Sequence, residues 1–233
     1  MPDWKDNAKY GDLRSVIDSV DDGGLKNKYI NLLHHKILSD AFGDSLKGKM
    51  VLDLGCGIGR FTEFLQFCGA DITGVDFCED MLSFYTGCKK ICAPVNKLPF
   101  KNESFDVVLS VWTLQYVDKT MLIEVIKEIN RILVPEGKIY LIEQLSKHGY
   151  DSVFSRYLFD YIDIFKNFVL IDSRSIMGER DLIVEIVKRG FIPELGFPIL
   201  MPYHLLMTKN LTLNNSDYID QFMIFKKGVF DAY

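Results

Sequence analysis

The sequence predicts an α/β protein in which a mostly parallel sheet is covered by helices on both faces. Short apolar runs typical of buried strands alternate with stretches whose apolar residues recur at helical spacing. A glycine-rich turn directly follows the first of these runs, Val51-Leu52-Asp53-Leu54, and opens the next helical stretch. A strand, a glycine-rich turn and a helix in this order are typical of doubly wound folds that bind a ligand at the helix N-terminus.

The predicted elements alternate along the chain as a doubly wound fold requires. Five strands are predicted first, over residues 50–54, 71–75, 90–93, 105–111 and 138–143. Helices are predicted over residues 25–42, 59–68, 79–87, 121–133 and 181–189. Two later strands complete the sheet, one over 191–195 and another over either 203–208 or 218–226, and the pattern does not choose between these last two.

Two regions lie outside this alternation. Residues 1–43 begin polar and end in the first predicted helix, so we interpret them as an N-terminal helical arm. Residues 145–172 carry a dense run of aromatic side chains and are too long for a plain connection, which predicts a lid inserted after strand five. The chain of 233 residues is otherwise the size of a single domain, with residues 44–143 as its core.

Composition favours a soluble globular protein and disfavours several classes of function. Hydrophobic residues make up 48% and charged residues 25%, and the net charge of −5 disfavours a general nucleic-acid binder. The five cysteines include no CxxC pair, which predicts reduced thiols and no metal site. The start of the chain is polar and no apolar run is long enough to span a membrane, so we expect no membrane association and a cytoplasmic location.

The glycine-rich turn carries the strongest sign of a bound ligand. Gly55, Gly57 and Gly59 stand at alternate positions, where the lack of a side chain lets a ligand approach the backbone closely. Asp76 ends the second predicted strand, where a carboxylate can accept hydrogen bonds from both hydroxyls of a ribose. The sequence therefore predicts a nucleoside-containing ligand at this edge of the sheet.

Further motifs follow the turn in a fixed order. They are Asp53-Leu-Gly-Cys-Gly-Ile-Gly-Arg60, Gly74-Val-Asp76, Met81-Leu82, Leu98-Pro-Phe100, Ser104-Phe-Asp-Val-Val108 and Leu133-Val-Pro-Glu-Gly137. Together they resemble the class I S-adenosylmethionine-dependent methyltransferases, in particular the small-molecule branch that is similar to ubiquinone and menaquinone methyltransferases. The resemblance covers residues 48–143. It implies a Rossmann-like, seven-stranded sheet, S-adenosylmethionine as cofactor and S-adenosylhomocysteine as product.

The resemblance also implies which residues bind the cofactor. These are Asp53, Gly55, Gly57, Gly59, Arg60, Asp76, Phe77, Val95, Asn96 and Ser110, joined by Trp4 and Tyr10 from the N-terminal segment. Asp76 would hold the ribose hydroxyls, Phe77 would lie beside the adenine, and Asp53 would assist at the methionine amino group. Ser110 would offer its backbone carbonyl to the same amino group, and Arg60 would help to bind the carboxylate.

One position departs from the family pattern. Many relatives have an aspartate that receives the adenine amino group where this chain has Pro94. The Val95 backbone or the side-chain amide of Asn96 would then substitute for that aspartate. The departure concerns the adenine contact and leaves the identity of the cofactor unchanged.

Candidate acceptor-site bases follow strands four and five, because open α/β sheets bind ligands at the carboxyl ends of their strands. Many relatives carry a pair of histidines where this chain has Gln115-Tyr116. We therefore predict that Glu143, after strand five, or His148, at the start of the predicted lid, contacts the nucleophile of the acceptor.

The sequence thus predicts in-line transfer of a methyl group to an oxygen or nitrogen of a small-molecule acceptor. A methyltransferase acting on a protein or peptide N-terminus is an alternative, and so is a non-catalytic protein that binds S-adenosylmethionine. A nicotinamide-dependent dehydrogenase is a weaker alternative, because Arg60 replaces the third glycine of the dinucleotide fingerprint.

Overall fold

A computed structural model describes residues 3–87, 89–149, 153–178, 182–208 and 218–228 of the chain. Within these residues seven strands form one sheet, in the order β3-β2-β1-β4-β5-β7-β6. The strands are β1 Met50–Leu54, β2 Asp71–Asp76, β3 Lys89–Cys92, β4 Phe105–Val111, β5 Leu133–Ser146, β6 Phe168–Gly178 and β7 Tyr218–Lys227. The first five strands run parallel, and β7 runs antiparallel between β5 and β6. The predicted Rossmann-like, mostly parallel sheet is confirmed.

Helices connect and cover these strands. They are α1 Trp4–Ala8, α2 Leu25–Phe42, α3 Thr62–Phe67, α4 Glu79–Leu82, α5 Lys119–Ile132, α6 Leu158–Ile164, α7 Leu182–Lys188 and α8 Phe197–Thr208. The start of α5 is fixed by Asp118, whose carboxylate accepts hydrogen bonds from the backbone N–H groups of Thr120 and Met121. None of the described helices is long and apolar enough to cross a membrane.

Each face of the sheet has its own hydrophobic core. On one face Val108 of β4 packs in a cluster with Val125 of α5. On the other face the next residue, Leu109, packs in a cluster with Leu33 and Ile37 of α2. Successive residues of a strand point to opposite faces, so the uninterrupted apolar run of β4 follows from burial on both sides. The helix α2 therefore forms part of a covering layer rather than a projecting arm.

The structure differs from the predicted lid over residues 145–172. Of this range, residues 150–152 lie outside the described residues. The strand β5 continues to Ser146, α6 follows, and β6 begins at Phe168. Within the segment Tyr161 and Phe165 are fully buried, and the Phe165 ring stacks on Phe225 of β7 with centroids 4.4 Å apart. Tyr161 and Phe165 therefore belong to a core cluster that includes Phe225, whereas Phe154, Tyr157 and Phe159 of the same segment are exposed.

The last third of the chain also corrects the later strand predictions. Residues 191–195 form no strand, and a short 3₁₀ turn covers Glu194–Gly196. Residues 203–208 lie in α8, while the alternative strand over residues 218–226 is confirmed as β7. The helix α8 contains almost no polar residue and includes Pro202, so its sequence shows no helical periodicity.

Candidate active site

The carboxyl ends of β1, β2 and β4 meet at one edge of the sheet, and the glycine-rich turn lies there. Gly55, Gly57 and Gly59 all have positive φ angles, of 73°, 54° and 83°. A Cβ atom on Gly55 would lie 2.2 Å from the hydroxyl oxygen of Thr113, in the segment after β4. Both the backbone conformation and the lack of space therefore require glycine, and the turn presents bare backbone at this edge.

Asp76 is held in one orientation by backbone N–H groups. Its Oδ2 accepts a hydrogen bond from Gly57 N–H at 2.9 Å, and its Oδ1 accepts one from Cys78 N–H at 2.8 Å. Burial raises the pKa of the Asp76 carboxyl, and these N–H groups oppose the rise. The carboxylate thus links the glycine-rich turn to the end of β2.

A cavity of about 280 Å³ opens at this edge of the sheet. Many of the residues predicted to bind the cofactor line it: Trp4, Gly55, Gly57, Asp76, Phe77, Val95 and Asn96. The structure therefore brings together the glycine-rich turn, the end of β2, the segment after β3 and the first helix. These parts of the chain are distant in sequence, and their convergence indicates a common ligand.

The remaining lining residues were not predicted as site residues. They are Val16, Met81, Pro94, Val111, Trp112, Thr113, Tyr116, Val117 and Met121. Four of them, Trp112, Thr113, Tyr116 and Val117, belong to the segment that follows β4, which the rule for open α/β sheets indicated as part of the acceptor site. Trp112 adopts a backbone conformation that is uncommon for a non-glycine residue, with φ at 52°. No sequence pattern predicts this conformation.

Five predicted cofactor residues do not line the cavity: Asp53 and Arg60, which lie in a group of buried ionisable side chains, and Tyr10, Gly59 and Ser110, which have other neighbours. Tyr10 is half-buried, with Lys9 and Arg14 over its ring. Gly59 stands against the Tyr85 ring, where a Cβ atom would come within 2.6 Å. Ser110 is buried inside β4, and its hydroxyl donates to Glu143 at 3.3 Å.

Behind the glycine-rich turn lies a group of buried ionisable side chains that we call the charged layer: His34, Asp53, Arg60, Glu143 and Asp220. The Arg60 guanidinium stacks over Phe61 and contacts the His34 Nδ1 through Nη2 at 2.9 Å. Burial lowers the pKa of Arg60 to about 9, although Asp53 and Asp220 oppose this. Burial likewise raises the pKa of Asp53 to about 7.

The charged layer holds polar atoms that no described residue satisfies. They include Oδ2 of Asp53 and Nη1 of Arg60, both buried without a hydrogen-bond partner. Buried polar groups are nearly always paired in proteins. An unpaired acceptor beside an unpaired donor indicates that the site is completed by a ligand with both an ammonium and a carboxylate, or by water.

Asp220 of β7 joins the charged layer next to His34 of α2. Its Oδ2 lies 3.8 Å from His34 Nε2, and both side chains are fully buried. Burial raises the pKa of Asp220 to about 8, with Gln144 and Trp112 placed to oppose the rise. Burial and the neighbouring Arg60 hold the pKa of His34 well below its usual value, so this histidine is neutral.

The structure places Glu143 beneath the cavity rather than in its wall. Its Oε1 accepts hydrogen bonds from Leu114 N–H at 3.0 Å and Thr113 N–H at 3.3 Å, and its Oε2 accepts one from Gln115 N–H at 3.0 Å. Burial raises its pKa to about 7, and these N–H groups oppose the rise. The carboxylate therefore holds the turn after β4, in contrast to the predicted contact with the acceptor.

His148, the other predicted base, is also absent from the cavity wall. It follows the end of β5 and is exposed to solvent. No described contact joins it to the lining residues. The described part of the segment that follows His148 lies against the turn after β4, where Phe154 N–H donates to the Gln115 carbonyl at 3.0 Å and Arg156 Nη1 donates to the Leu114 carbonyl at 2.6 Å.

Comparison with known proteins indicates the kind of domain to which this edge of the sheet belongs. Residues 52–141 match the family described as a methyltransferase domain. Residues 52–141 of this protein form a methyltransferase domain. The matched stretch runs from β1 to β5 and so contains the glycine-rich turn, Asp76 and most of the cavity wall of this methyltransferase domain.

Individual relatives agree with the domain assignment. The chain is 32% identical over 111 residues to a sterol 4-C-methyltransferase of Caenorhabditis elegans, which covers 43% of this chain and 33% of that protein. A putative sarcosine dimethylglycine methyltransferase from Galdieria sulphuraria has the same fold, with a TM-score of 0.60 at 17% identity over 84% of this chain and 86% of that one. Phosphoethanolamine N-methyltransferase 2 from Haemonchus contortus, solved with S-adenosyl-L-methionine, has the same fold as well. Its TM-score is 0.63 at 19% identity, over 84% of this chain and 52% of that one.

The coverage limits what these relatives say about the whole protein. The chain spans about a third of the length of the sterol methyltransferase that it matches. Similarity is concentrated in the methyltransferase domain, and the fold alone is shared with the solved structures.

Proposed function

We propose that this protein is an S-adenosylmethionine-dependent methyltransferase that acts on an oxygen or nitrogen of a small molecule. The observation that carries the proposal is the position of Asp76. Its carboxylate stands at the end of β2 and edges the cavity, held by two N–H groups, beside the bare backbone of Gly55 and Gly57. A carboxylate in this position accepts the two hydroxyls of a ribose.

The charged layer fits the amino-acid end of the cofactor. Asp53 offers an unpaired buried oxygen, and Arg60 offers an unpaired buried N–H group. The ammonium group of the cofactor would donate to the Asp53 oxygen, and its carboxylate would accept from the Arg60 N–H group, directly or through water. Bringing an ammonium next to Asp53 would also lower the pKa of that carboxyl from about 7, because a nearby positive charge favours the ionised form.

Asn96 fits the adenine end in place of the aspartate that Pro94 replaces. Its side-chain nitrogen donates to Glu124 Oε2 at 2.9 Å, which fixes the orientation of the amide. The Asn96 Oδ1 is then the atom left to accept a hydrogen bond from the adenine amino group. Phe77, half of whose surface is exposed at the cavity, would lie against the ring.

When bound, the cofactor supplies a methyl group on a positively charged sulfur. The side chains of this protein would orient that group and exclude water from it. Trp4 supports such exclusion, because its ring contacts the Tyr116 ring in the cavity wall, with centroids 5.1 Å apart. Positioning the acceptor in line with the methyl group and the sulfur is then the main task of the cavity.

Thermal shift and calorimetry with three ligands test the proposal. S-adenosylmethionine and S-adenosylhomocysteine should each raise the melting temperature and bind with one site, whereas NAD should do neither. A response to NAD alone would overturn the proposal. A screen with a labelled methyl group should then find transfer to a small molecule. Cofactor binding without transfer to any small molecule or peptide would instead support a non-catalytic binding protein.

A further inference from the structure

The lining residues that are not assigned to the cofactor indicate which kind of acceptor the cavity would bind. Resting on the proposed function, we propose that the acceptor is an uncharged, mostly apolar amine whose methylated cation is held against the rings of Trp4, Trp112 and Tyr116. All three residues line the same cavity. Trp4 and Tyr116 meet edge to face, and the Trp112 ring also meets the His34 ring edge to face. The rest of this wall is aliphatic, including Val117 and Met121.

The carboxylates and the Thr113 hydroxyl at or near the wall are already engaged in other hydrogen bonds. Asp76 is engaged by two backbone N–H groups and serves the ribose under the proposed function. The Thr113 hydroxyl donates toward the carbonyls of Leu54 and Val111, at 3.3 and 3.4 Å. Glu143 lies beneath the wall. A hydroxyl acceptor usually needs a base that contributes about 10²–10⁴-fold, whereas a neutral amine carries its own lone pair.

The wall also disfavours an anionic acceptor. Among the described lining residues none is a lysine, arginine or histidine, and the one charged side chain is the acidic Asp76. A phosphate or carboxylate placed here would lose its hydration without gaining a cationic partner. Arg60 does not line the cavity, contacts His34 and Phe61, and serves the carboxylate of the cofactor under the proposed function.

An amine suits an apolar wall of this kind for two reasons. Desolvation favours the neutral form of an amine, which is the form that can attack. As the nitrogen bonds to the methyl carbon, the sulfur–methyl bond breaks and its electron pair returns to sulfur, so the positive charge moves from sulfur to nitrogen. Aromatic faces stabilise a cation at either position. An amine that still carries a hydrogen then releases a proton to water.

Binding of product-like probes to the S-adenosylhomocysteine complex tests this inference. Choline carries a quaternary ammonium, 3,3-dimethylbutan-1-ol is its uncharged isostere, and phosphocholine adds a phosphate. We expect choline to bind about 2- to 30-fold more tightly than the isostere, which is the range of a cation–π contact. Phosphocholine should bind more weakly than choline. The dissociation constants are measured by calorimetry with saturating S-adenosylhomocysteine.

Variants of the rings complete the test. Tyr116→Leu and Trp4→Leu should each reduce the preference for choline over its isostere, whereas Tyr116→Phe, which keeps the ring, should retain it. Phe67→Leu, at an exposed position of α3, controls for nonspecific effects. Equal binding of the isostere, tighter binding of phosphocholine, or no binding of any probe would overturn the inference. Failure to bind S-adenosylhomocysteine would instead overturn the proposed function itself.

Discussion

The cavity wall and the charged layer adjoin at the glycine-rich turn and differ completely in chemistry. The wall is formed by aromatic and aliphatic side chains around Asp76. The charged layer holds an arginine, three carboxyl groups and a histidine, and burial shifts the pKa of all five. The contrast teaches that perturbed ionisable groups at a site need not touch the reacting atoms, and that Glu143 acts on backbone N–H groups instead.

The largest effect is expected where the two regions meet, at Asp76. Asp76→Ala removes the carboxylate that fits the ribose and the bonds that it accepts from Gly57 and Cys78. Hydrogen bonds to charged groups contribute about 1.5–3 kcal/mol each, so affinity for S-adenosylmethionine should fall about 100-fold or more. Calorimetry measures this, with Asp71→Ala at the exposed start of β2 as the control. Affinity within threefold of wild type would place the cofactor elsewhere.

The second effect tests the close packing of the glycine-rich turn. Gly55→Ala requires a left-handed backbone and overlaps Thr113, whereas Gly24→Ala requires a similar backbone with open space around it. Unfavourable φ costs about 1–2 kcal/mol, and overpacking adds about 1–3. Urea denaturation should therefore show a clearly larger loss for Gly55→Ala. Equal losses would mean that the turn and the segment after β4 are not in contact.

The third effect separates a positioning role of Glu143 from a catalytic one. Glu143→Gln replaces an acceptor of three N–H bonds by a group with one acceptor oxygen, and should lower the free energy of unfolding by about 1–3 kcal/mol. The pH dependence of methyl transfer, measured with the acceptor from the labelled-methyl screen, should keep its shape. His148→Ala is the matched control and should change neither quantity. If the glutamine variant lost the part of the pH–rate profile that titrates near pH 7, Glu143 would be a general base.

The smallest effect concerns Asp220. Its pKa is raised to about 8 in the folded chain, so the folded state keeps a proton that the unfolded state loses near pH 4. The free energy of unfolding should therefore fall as the pH rises from about 4 to 8. Asp220→Asn should flatten that slope in part, since Asp53 and Glu143 act in the same direction. Urea denaturation at several pH values measures it, and parallel curves would contradict the shift.

The first half of the fold was readable from sequence because its strands are buried on both faces. The strands β1, β2 and β4 appear as apolar runs, and each ends where the pattern predicts to within a residue. The strand β6 was not predicted, because it lies at the sheet edge, carries Asp172 and Arg174, and contains irregular register. Edge strands lack the continuous apolar pattern that burial on both faces imposes.

The site divides in the same way. Local motifs predicted the glycine-rich turn and Asp76, and both stand at the cavity. The charged layer joins α2, the glycine-rich turn and β7, so His34 and Asp220 meet only through long-range packing that no local pattern records. Glu143 was predicted to follow strand five, but β5 continues to Ser146, so Glu143 lies inside the strand and its carboxylate accepts from the N–H groups of the turn after β4.

Intrinsic tryptophan fluorescence tests most directly whether the cavity is the methyl-donor site. The chain has two tryptophans, Trp4 and Trp112, and both line the cavity. S-adenosylmethionine should change the emission saturably, with the same dissociation constant that calorimetry gives, and Trp4→Phe and Trp112→Phe should each retain part of the change. Binding heat without any change in tryptophan emission would show that the cofactor binds outside this cavity and would contradict the account.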